Sequence, residues 1–425
     1  MKKYLYLITL AALTSGSFPL ARAASLTTTD WPQWRGPNRD GHVNPGTSWP
    51  DSLGSLRKVW RAELGPSYSG PIIAGNRIFT TETIGKKSER VTAFHRTSGK
   101  LLWERDWLGS MKVPFFAAKN GSWIRSTPAT DGESLYVGGI QDVLVSLDAA
   151  TGKENWRLDF AEKLDAPRPS FGMACSPLID GNYLYVQAGA GFCKVDKRTG
   201  DIVWRTARDD GGMFGSAFSS PVKTRLAGKD VFLVQTRLAL NVIDAQTGEA
   251  ESSQPIKAFR GMNILTPLVY EGSVFTSAYG GRSHMFDVAR KGGKLNLTEA
   301  WNVKHQGYMS SPVVVNGVAY HHLRNQRLVA IDLATGEDRW DIANRFGKYW
   351  SMVVNGDRIL ALDQIGKLHL IRANREKFDR LDTREVGNDT WAHLAVSGSH
   401  VVVRELNALA VYEWTSTPRL ATQVP

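Results

Sequence analysis

The sequence predicts an all-β protein with the fold of an eight-bladed β-propeller. A short module containing Asp, Thr-Gly and Trp recurs along the chain. Pairs of a small residue with Pro introduce apolar runs at intervals of roughly 45 residues, and such a period is typical of solenoids and propellers. Short runs rich in Val, Ile, Tyr and Phe, bounded by Gly, Asp and Asn, favour strands over helices throughout.

The repeated module is most complete at Ser146–Trp156, where it reads SLDAATGKENW. The Asp side chain can accept hydrogen bonds from the backbone of a tight turn, and the Gly supplies a positive φ. The Trp follows on the next strand and can pack against a neighbouring sheet. These residues therefore predict architecture and not chemistry. Full or partial copies lie at Ala93–Trp103, Lys194–Trp204, Val242–Ser252 and Ala330–Trp340.

A complete repeat is a four-stranded antiparallel meander. Within Ser310–Trp340 we expect strands at Pro312–Val315, Val318–His322 and Leu328–Asp332, and a fourth ending at Trp340. Asn316-Gly317 between the first two strands is a strong hairpin signal. Six clear repeats, a degenerate seventh and a composite eighth give eight blades, with seven as the alternative.

The composite blade predicts how the ring closes. His393–Trp414 holds only three strands, whereas Leu56–Leu64 has the pattern of an isolated fourth strand with a Trp. If the N-terminal strand joins the last sheet, the ring closes and no sheet edge between blades is left exposed.

The sequence predicts that the chain is divided into four consecutive segments. Residues 1–23 resemble a cleavable signal peptide, with Lys2-Lys3, an apolar centre too short to span a membrane, and Ala21-Arg22-Ala23. Residues 24–55 form a strap rich in Trp and Pro, for which a structural role is expected, residues 56–414 the propeller, and residues 415–425 a tail. We expect a periplasmic or secreted protein with no membrane span and no lipid-anchor Cys.

Composition narrows the classes of partner. The net charge of +11 favours anionic partners such as acidic glycans or other polymers. No basic run with interleaved aromatics appears, so nucleic acid is not expected. Cys175 is predicted in the first strand of its repeat and Cys193 in the third, too far apart for a disulfide. We therefore expect two buried free thiols. We also expect the protein to be a monomer.

The repeats resemble a known family. The pattern A-x-D-x-x-T-G-x-x-x-W resembles the tryptophan-docking repeats of pyrroloquinoline quinone (PQQ) type propellers, and the resemblance extends over roughly residues 31–414, including Trp31–Gly41 and Ala118–Gly132. The chain is similar to PQQ-like repeat proteins of the BamB class of outer-membrane assembly factors. This fold hosts quinone dehydrogenases as well as non-catalytic scaffolds, so the resemblance implies the fold and leaves the activity open.

We do not expect this chain to contain the quinone and calcium site of the dehydrogenases. Those enzymes hold a quinone and Ca²⁺ with adjacent cysteines, a Trp floor and acidic ligands, and the sequence has no adjacent Cys pair and few acids in the axial loops. No lipase, zinc-protease or P-loop signature is present. We expect no catalytic residue, no metal and no cofactor, with PQQ and calcium as the alternative.

The loops that face one end of the propeller axis instead predict a binding face, because aromatics beside Arg bind peptides, sugars and anions. The function expected is an exported, non-catalytic binding or scaffold propeller for a protein segment or an anionic polymer. The alternatives are a PQQ-dependent dehydrogenase with an atypical site and a carbohydrate- or polyanion-active enzyme. The candidate binding residues are Trp123, Arg125, Phe171, Phe218, Arg237, Arg260, Asn263, Arg282, Tyr308, Arg324, Trp350, Trp391 and His393.

Overall fold

The computed structural model describes residues 26–44, 48–209 and 217–415. Over these residues the chain forms eight four-stranded antiparallel sheets, arranged as the blades of an eight-bladed propeller. The predicted fold class and blade number are confirmed. The predicted signal peptide, and the predicted tail beyond residue 415, lie outside the described residues.

Each blade is a simple meander. The N-terminal strand is β1 (Leu56–Glu63), and the first four blades follow it: β2 (Ile72–Ala74), β3 (Arg77–Ile84), β4 (Ser88–His95) and β5 (Leu101–Leu108); β6 (Ala129–Thr130), β7 (Ser134–Gly139), β8 (Val143–Asp148) and β9 (Glu154–Asp159); β10 (Leu178–Asp180), β11 (Tyr183–Ala188), β12 (Gly191–Asp196) and β13 (Ile202–Thr206); β14 (Val222–Leu226), β15 (Lys229–Gln235), β16 (Ala239–Asp244) and β17 (Ala250–Pro255).

The remaining blades complete the ring. They contain β18 (Leu268–Tyr270), β19 (Ser273–Ser277), β20 (Ser283–Lys291) and β21 (Lys294–Val303); β22 (Val313–Val315), β23 (Val318–His322), β24 (Leu328–Asp332) and β25 (Asp338–Asp341); β26 (Trp350–Asn355), β27 (Arg358–Asp363), β28 (Lys367–Arg372) and β29 (Asp379–Glu385); β30 (Ala395–Ser397), β31 (His400–Glu405) and β32 (Ala408–Trp414). Among the described residues, helix is limited to α1 (Phe160–Leu164) and short 3-10 turns at Phe115–Asn120 and Phe259–Gly261.

The repeated module joins one blade to the next. Asp148 Oδ1 accepts hydrogen bonds from the backbone N–H groups of Ala150 (3.1 Å) and Thr151 (2.8 Å), as the sequence predicts. Trp103 of the preceding blade donates its indole N–H to the Ala149 carbonyl at 3.2 Å. Gly152 has a φ of 72°, and a Cβ there would lie 2.5 Å from the Trp103 ring. The Gly therefore serves both the turn and the close approach of the indole.

The ring closes through β1. This strand pairs with β32 in antiparallel register from Leu56↔Trp414 to Glu63↔Ala408, with a bulge near Trp60. The last blade therefore contains strands from both ends of the propeller, and the predicted closure is confirmed. The side chain of Arg404 on β31 is fully buried at this junction and donates hydrogen bonds to backbone carbonyls on both sides of it.

Residues Trp31–Val43, which precede β1, lie across the centre of the ring and are called the axial segment below. Trp31 is buried and pairs by backbone hydrogen bonds with Ile73 of the first blade. The same short segment, Trp31–Val43, reaches the second, third, fifth, sixth and seventh blades through contacts with Thr130, Ser176, Pro177, Thr266, Pro312 and Val354. The expectation of a strap packed by its aromatics is therefore incomplete, because two buried arginines hold this axial segment in place.

Those arginines satisfy the carbonyl groups that surround the axis. Arg35 Nη2 donates to the Pro312 carbonyl at 2.5 Å, and Arg39 donates to the carbonyls of Pro177 (2.9 Å) and Ser176 (3.1 Å). Burial lowers the pKa of both guanidinium groups to about 10. Both therefore stay charged at neutral pH, and charge-assisted hydrogen bonds of this kind are stronger than neutral ones.

The two cysteines are free and buried, which confirms the expectation of unpaired thiols. One detail of that prediction is wrong: Cys175 precedes β10, whereas Cys193 lies in β12 as expected. The Asn316-Gly317 hairpin is also confirmed, with φ values of 49° and 75° between β22 and β23. Within the described ranges, no helix has the length and apolar character needed to cross a bilayer.

Candidate ligand-binding site at the propeller axis

One end of the axis opens into a cavity of about 370 Å³. It is formed mainly by the loops that lead into the innermost strands, which converge on the axis, together with Trp34 and with Tyr279 from the β19–β20 loop. A volume of roughly 300–1,000 Å³ is typical of ligand pockets in proteins. The cavity is lined by Trp34, Tyr68, Phe116, Ala117, Asn120, Arg125, Phe171, Ala174, Ser176, Phe218, Ser220, Phe259, Arg260, Met262, Ile264, Thr266, Tyr279, Tyr308, Met309, Ser311, Tyr349 and Trp391.

The axial segment supplies Trp34 to this lining. Its indole N–H donates to Thr266 Oγ1 at 3.2 Å, and its ring meets His393 edge-on with the ring centroids 5.0 Å apart. Because the axial segment crosses the ring at this point, it closes the channel and gives the cavity an aromatic floor. The sequence favoured a purely structural role for this segment and did not indicate Trp34.

Aromatic rings follow one another around the mouth. Trp391 lies 5.5 Å from Tyr68 and 6.4 Å from Tyr349 between ring centroids. On the opposite side, Phe171 lies 6.1 Å from Phe116 and 5.7 Å from Phe218. Such rings present apolar faces with polar edges, so the wall can hold aromatic or aliphatic groups.

A second group of rings completes the wall. Tyr279 and Tyr308 stack with their centroids 4.7 Å apart, and Phe259 meets Tyr279 edge-on at 5.5 Å. Burial raises the pKa of both Tyr68 and Tyr308 to about 12. Both phenols are therefore neutral at physiological pH; Tyr68 donates its hydroxyl to the Asn120 carbonyl, and Tyr308 can donate a hydrogen bond to a ligand.

Two guanidinium groups lie among the rings. Arg125 lies over the ring of Tyr68 at 5.4 Å, and Arg260 lies over the rings of Phe116 (5.1 Å) and Phe259 (5.0 Å). Burial lowers the pKa of the Arg125 guanidinium. The described lining contains no Asp, Glu or Lys side chain, so the charge of this cavity is positive. An aromatic and cationic cavity suits an anionic group attached to an apolar body.

The lining lacks the ligands for the calcium ion that quinone dehydrogenases of this fold hold beside their quinone. Calcium takes six to eight oxygen ligands, several of them carboxylates. The described lining has no carboxylate, and no group of three or more His, Cys, Asp or Glu side chains suited to a metal occurs anywhere in the described ranges. No catalytic step can therefore be assigned through such a group from these residues.

The structure brings together about half of the candidate binding residues from the sequence. Those that line the cavity are Arg125, Phe171, Phe218, Arg260, Tyr308 and Trp391. Each precedes the innermost strand of a blade, which explains why these loops meet at the axis.

The three arginines from the loops between second and third strands lie outside the cavity. Arg237 forms a forked ion pair with Asp209, with Nε 2.7 Å from the carboxylate. Arg282 bonds Asn302 instead. Arg324 bonds the Gln306 side chain at 3.1 Å and lies over Tyr279, behind the cavity wall. None of the three lines the cavity, although Tyr279, in the same loop as Arg282, does; their role in the predicted binding face stays a prediction.

Three other candidates are packed inside the protein. Trp350 is buried and stacks between His322 and His369, at centroid distances of 5.7 and 5.2 Å. Asn263 is buried and donates to the backbone carbonyls of its own loop and the loop beside it. His393 is buried under Trp34, and burial lowers its pKa to about 3. None of these three side chains lines the cavity.

Trp123 also lies outside the lining. It packs against Gly121, where a Cβ would lie only 2.1 Å from its indole. Its indole therefore packs on the turn that follows the 3-10 segment carrying Phe116.

Four aromatic residues of the lining were missed. Besides Trp34 they are Phe116, Phe259 and Tyr279, and the two phenylalanines are about half exposed. For Phe116 the sequence offers one signal, the adjacent aromatic pair Phe115-Phe116 in the connection between β5 and β6. An exposed aromatic pair in a loop is more often functional than structural.

Comparison of the sequence with known families gives a match over residues 87–342 to the family described as outer membrane protein assembly factor BamB. Among curated relatives, the BamB of Moranella endobia is 24% identical over 337 residues, covering 74% of this chain and 79% of the relative. The BamB of Yersinia pestis is 26% identical over 263 residues, covering 58% of this chain and 63% of the relative.

Comparison of the fold gives matches to both functional classes. The crystal structure of BamB from Moraxella catarrhalis superposes with a TM-score of 0.62 at 15% identity, covering 85% of this chain and 98% of that one. Quinohemoprotein alcohol dehydrogenase from Comamonas testosteroni superposes with a TM-score of 0.66 at 14% identity, covering 93% and 82%. At such identities, the likeness shows the fold and leaves the chemistry to the residues of the site.

Proposed function

This chain belongs to the family described as outer membrane protein assembly factor BamB, and from that premise we propose that it is an exported binding protein without catalytic activity, whose axial cavity holds a segment of another polypeptide. The observation that carries this proposal is the composition of the cavity: aromatic rings around the whole wall, two guanidinium groups, and no carboxylate among the described lining residues. Such a set binds side chains and carries no reaction centre.

A polypeptide segment fits this cavity better than a folded domain does. At about 370 Å³ the cavity has room for a few side chains. Exposed aromatics continue from it onto the surface, where Phe115 is 90% and Phe259 is 48% exposed. Solvent-exposed aromatic groups around a recessed cavity favour a ligand that is longer than the cavity itself.

Photo-crosslinking in cells that export the full-length chain tests the proposal. A benzophenone amino acid at Phe116, on the mouth, should yield adducts with other polypeptides that mass spectrometry identifies. The matched control is Val203, which is 51% exposed on the outer strand β13, away from the mouth. The proposal fails if the Phe116 position gives no polypeptide adduct, or if both positions give the same adducts in equal yield.

A further inference from the structure

We propose that Arg125 is the anchor for a carboxylate of the bound segment, so that the cavity selects an acidic group flanked by aromatic or other apolar side chains. This inference rests on the proposed function and specifies the chemistry of its ligand. The hydrogen bonding of the Arg125 side chain differs from that of the other arginines near the axis.

Arg125 lies in the connection between β5 and β6, on the wall of the cavity. Its Nη2 makes one long hydrogen bond, 3.4 Å to the Gly121 carbonyl, and its Nε is hidden from solvent without a partner. Within the described part of the chain, no carboxylate forms an ion pair with it. A guanidinium has five N–H donors, so most of the capacity of this group is unused.

Other arginines of the protein show how such groups are normally satisfied. Arg35 and Arg404 are fully buried, and each donates to backbone carbonyls at hydrogen-bonding distance. Arg237, on the same end of the propeller as Arg125, holds Asp209 in a forked pair. Arg125 makes a single long hydrogen bond, to the Gly121 carbonyl, and among the described residues no carboxylate pairs with it; the Tyr68 ring lies against its charge. Removing a cation from water without a partner is unfavourable, and a ligand anion would offset that cost.

The surroundings define the group that would fit. A carboxylate accepts two parallel hydrogen bonds from the guanidinium fork, and the adjacent Tyr68 and Trp391 rings form an apolar wall for whatever carries it. Asp389, which lies near Tyr68, accepts the Trp391 indole N–H at 2.6 Å. A negative group entering beside Arg125 therefore meets a cation, aromatic faces and no carboxylate on the cavity wall.

The test compares two capped peptides that differ only in charge. Acetyl-Phe-Glu-Phe-Gly-amide and acetyl-Phe-Gln-Phe-Gly-amide are titrated into the full-length protein by calorimetry. The Glu peptide should bind at least ten times more tightly. Equal affinities, or no binding of either peptide, would overturn the carboxylate anchor without the need for any variant.

Substitutions of Arg125 show whether this side chain causes the difference in affinity between the two peptides. Arg125→Gln should abolish the difference between the two peptides while retaining the weaker binding of the Gln peptide, and Arg125→Lys should restore only part of it. The control Arg225→Gln replaces an exposed Arg on β14, near the turn to β15, and should leave the difference in affinity between the two peptides unchanged. Thermal melting of each variant verifies folding. A difference that survives in Arg125→Gln contradicts the assignment.

Two further measurements distinguish failure of the Arg125 anchor from failure of the proposed function. If free 3-phenylpropanoate binds as tightly as the Glu peptide, and does so through Arg125, the anchor holds but its ligand is a small acid and not a polypeptide. If Phe116 crosslinks to polypeptides equally well in Arg125→Gln, the proposed function holds and the anchor fails.

Discussion

Replacing Arg404 with Met tests how the propeller is closed. The Arg404 guanidinium donates to the carbonyls of Leu406 (3.0 Å) and Ala408 (3.1 Å) within its own blade. It also donates to Gly65 (2.6 Å), just after β1, and to Thr81 (3.1 Å) in the first blade. One side chain therefore links the last blade, the closing strand and the first blade.

The size of the effect follows from these contacts. A buried carbonyl that loses its donor costs about 1–3 kcal/mol, and Arg404→Met removes the donor from the two carbonyls outside its own blade. Some of that loss is recovered because the guanidinium no longer has to be buried, a step that itself lowers its pKa to about 10. We expect the free energy of unfolding to fall by about 3 kcal/mol.

Urea unfolding followed by tryptophan fluorescence measures this loss. The control, Arg198→Met, replaces an Arg that is exposed at the turn after Asp196 and should change the free energy of unfolding by no more than about 0.5 kcal/mol. Amide exchange in β1 should accelerate in Arg404→Met. The reasoning is refuted if Arg404→Met matches the control, or if β1 exchanges as slowly as in the wild type.

Further predictions concern pH, turns, thiols and cofactor. Burial raises the pKa of Glu89 to about 7 from its ordinary 4.5, so this group should lower the free energy of unfolding by up to about 3 kcal/mol as the pH rises from 4.5 to 7; in melting across that range, Glu89→Gln should remove this share and keep that of Asp142, whose pKa burial raises to about 6. Gly200→Ala should lower the free energy of unfolding by about 1–3 kcal/mol, because φ is 80° and the new Cβ would lie 2.7 Å from Trp156; an unchanged urea midpoint would contradict this. Burial raises the pKa of Cys175 to about 11 and that of Cys193 to about 12, so Ellman's reagent should label neither thiol in the native protein and both after unfolding. Addition of PQQ with Ca²⁺ should leave the melting temperature unchanged. An increase of several degrees would favour the alternative function, a PQQ-dependent dehydrogenase.

The fold was predictable because its signals are local and repeated. Asp148, Gly152 and Trp103 act within one turn and one neighbouring strand, so their spacing in the sequence carries the geometry. The closing strand was predictable because Leu56–Leu64 had no sheet of its own. Neither inference required knowledge of a contact between distant loops.

The axial segment was not predictable in the same way. Arg35 and Arg39 are held by carbonyl groups of the third and sixth blades, far away in the sequence. Charged residues in a Pro- and Gly-rich stretch are usually exposed, and no periodicity distinguishes these two. Their burial follows from the ring of carbonyls around the axis, which only the assembled propeller provides.

The candidate site was predictable by loop but not by side chain. Trp350 and Trp391 both precede or begin an innermost strand, yet Trp350 packs between two blades and Trp391 faces the axis. That choice depends on the rotation of each strand and on the rings already present beside it. Phe116 and Tyr279 were missed because one lies in a long connection and the other in a loop considered only for its arginine.

Hydrogen–deuterium exchange of the full-length protein with and without acetyl-Phe-Glu-Phe-Gly-amide tests the central claim most directly, namely that the axial mouth is where a polypeptide binds. Slower exchange should be confined to residues 115–125, 259–266 and 308–311, which border the cavity. Protection at the Thr151-Gly152 turn, on the opposite end of the propeller, or an unchanged exchange pattern at saturating peptide, would contradict the account.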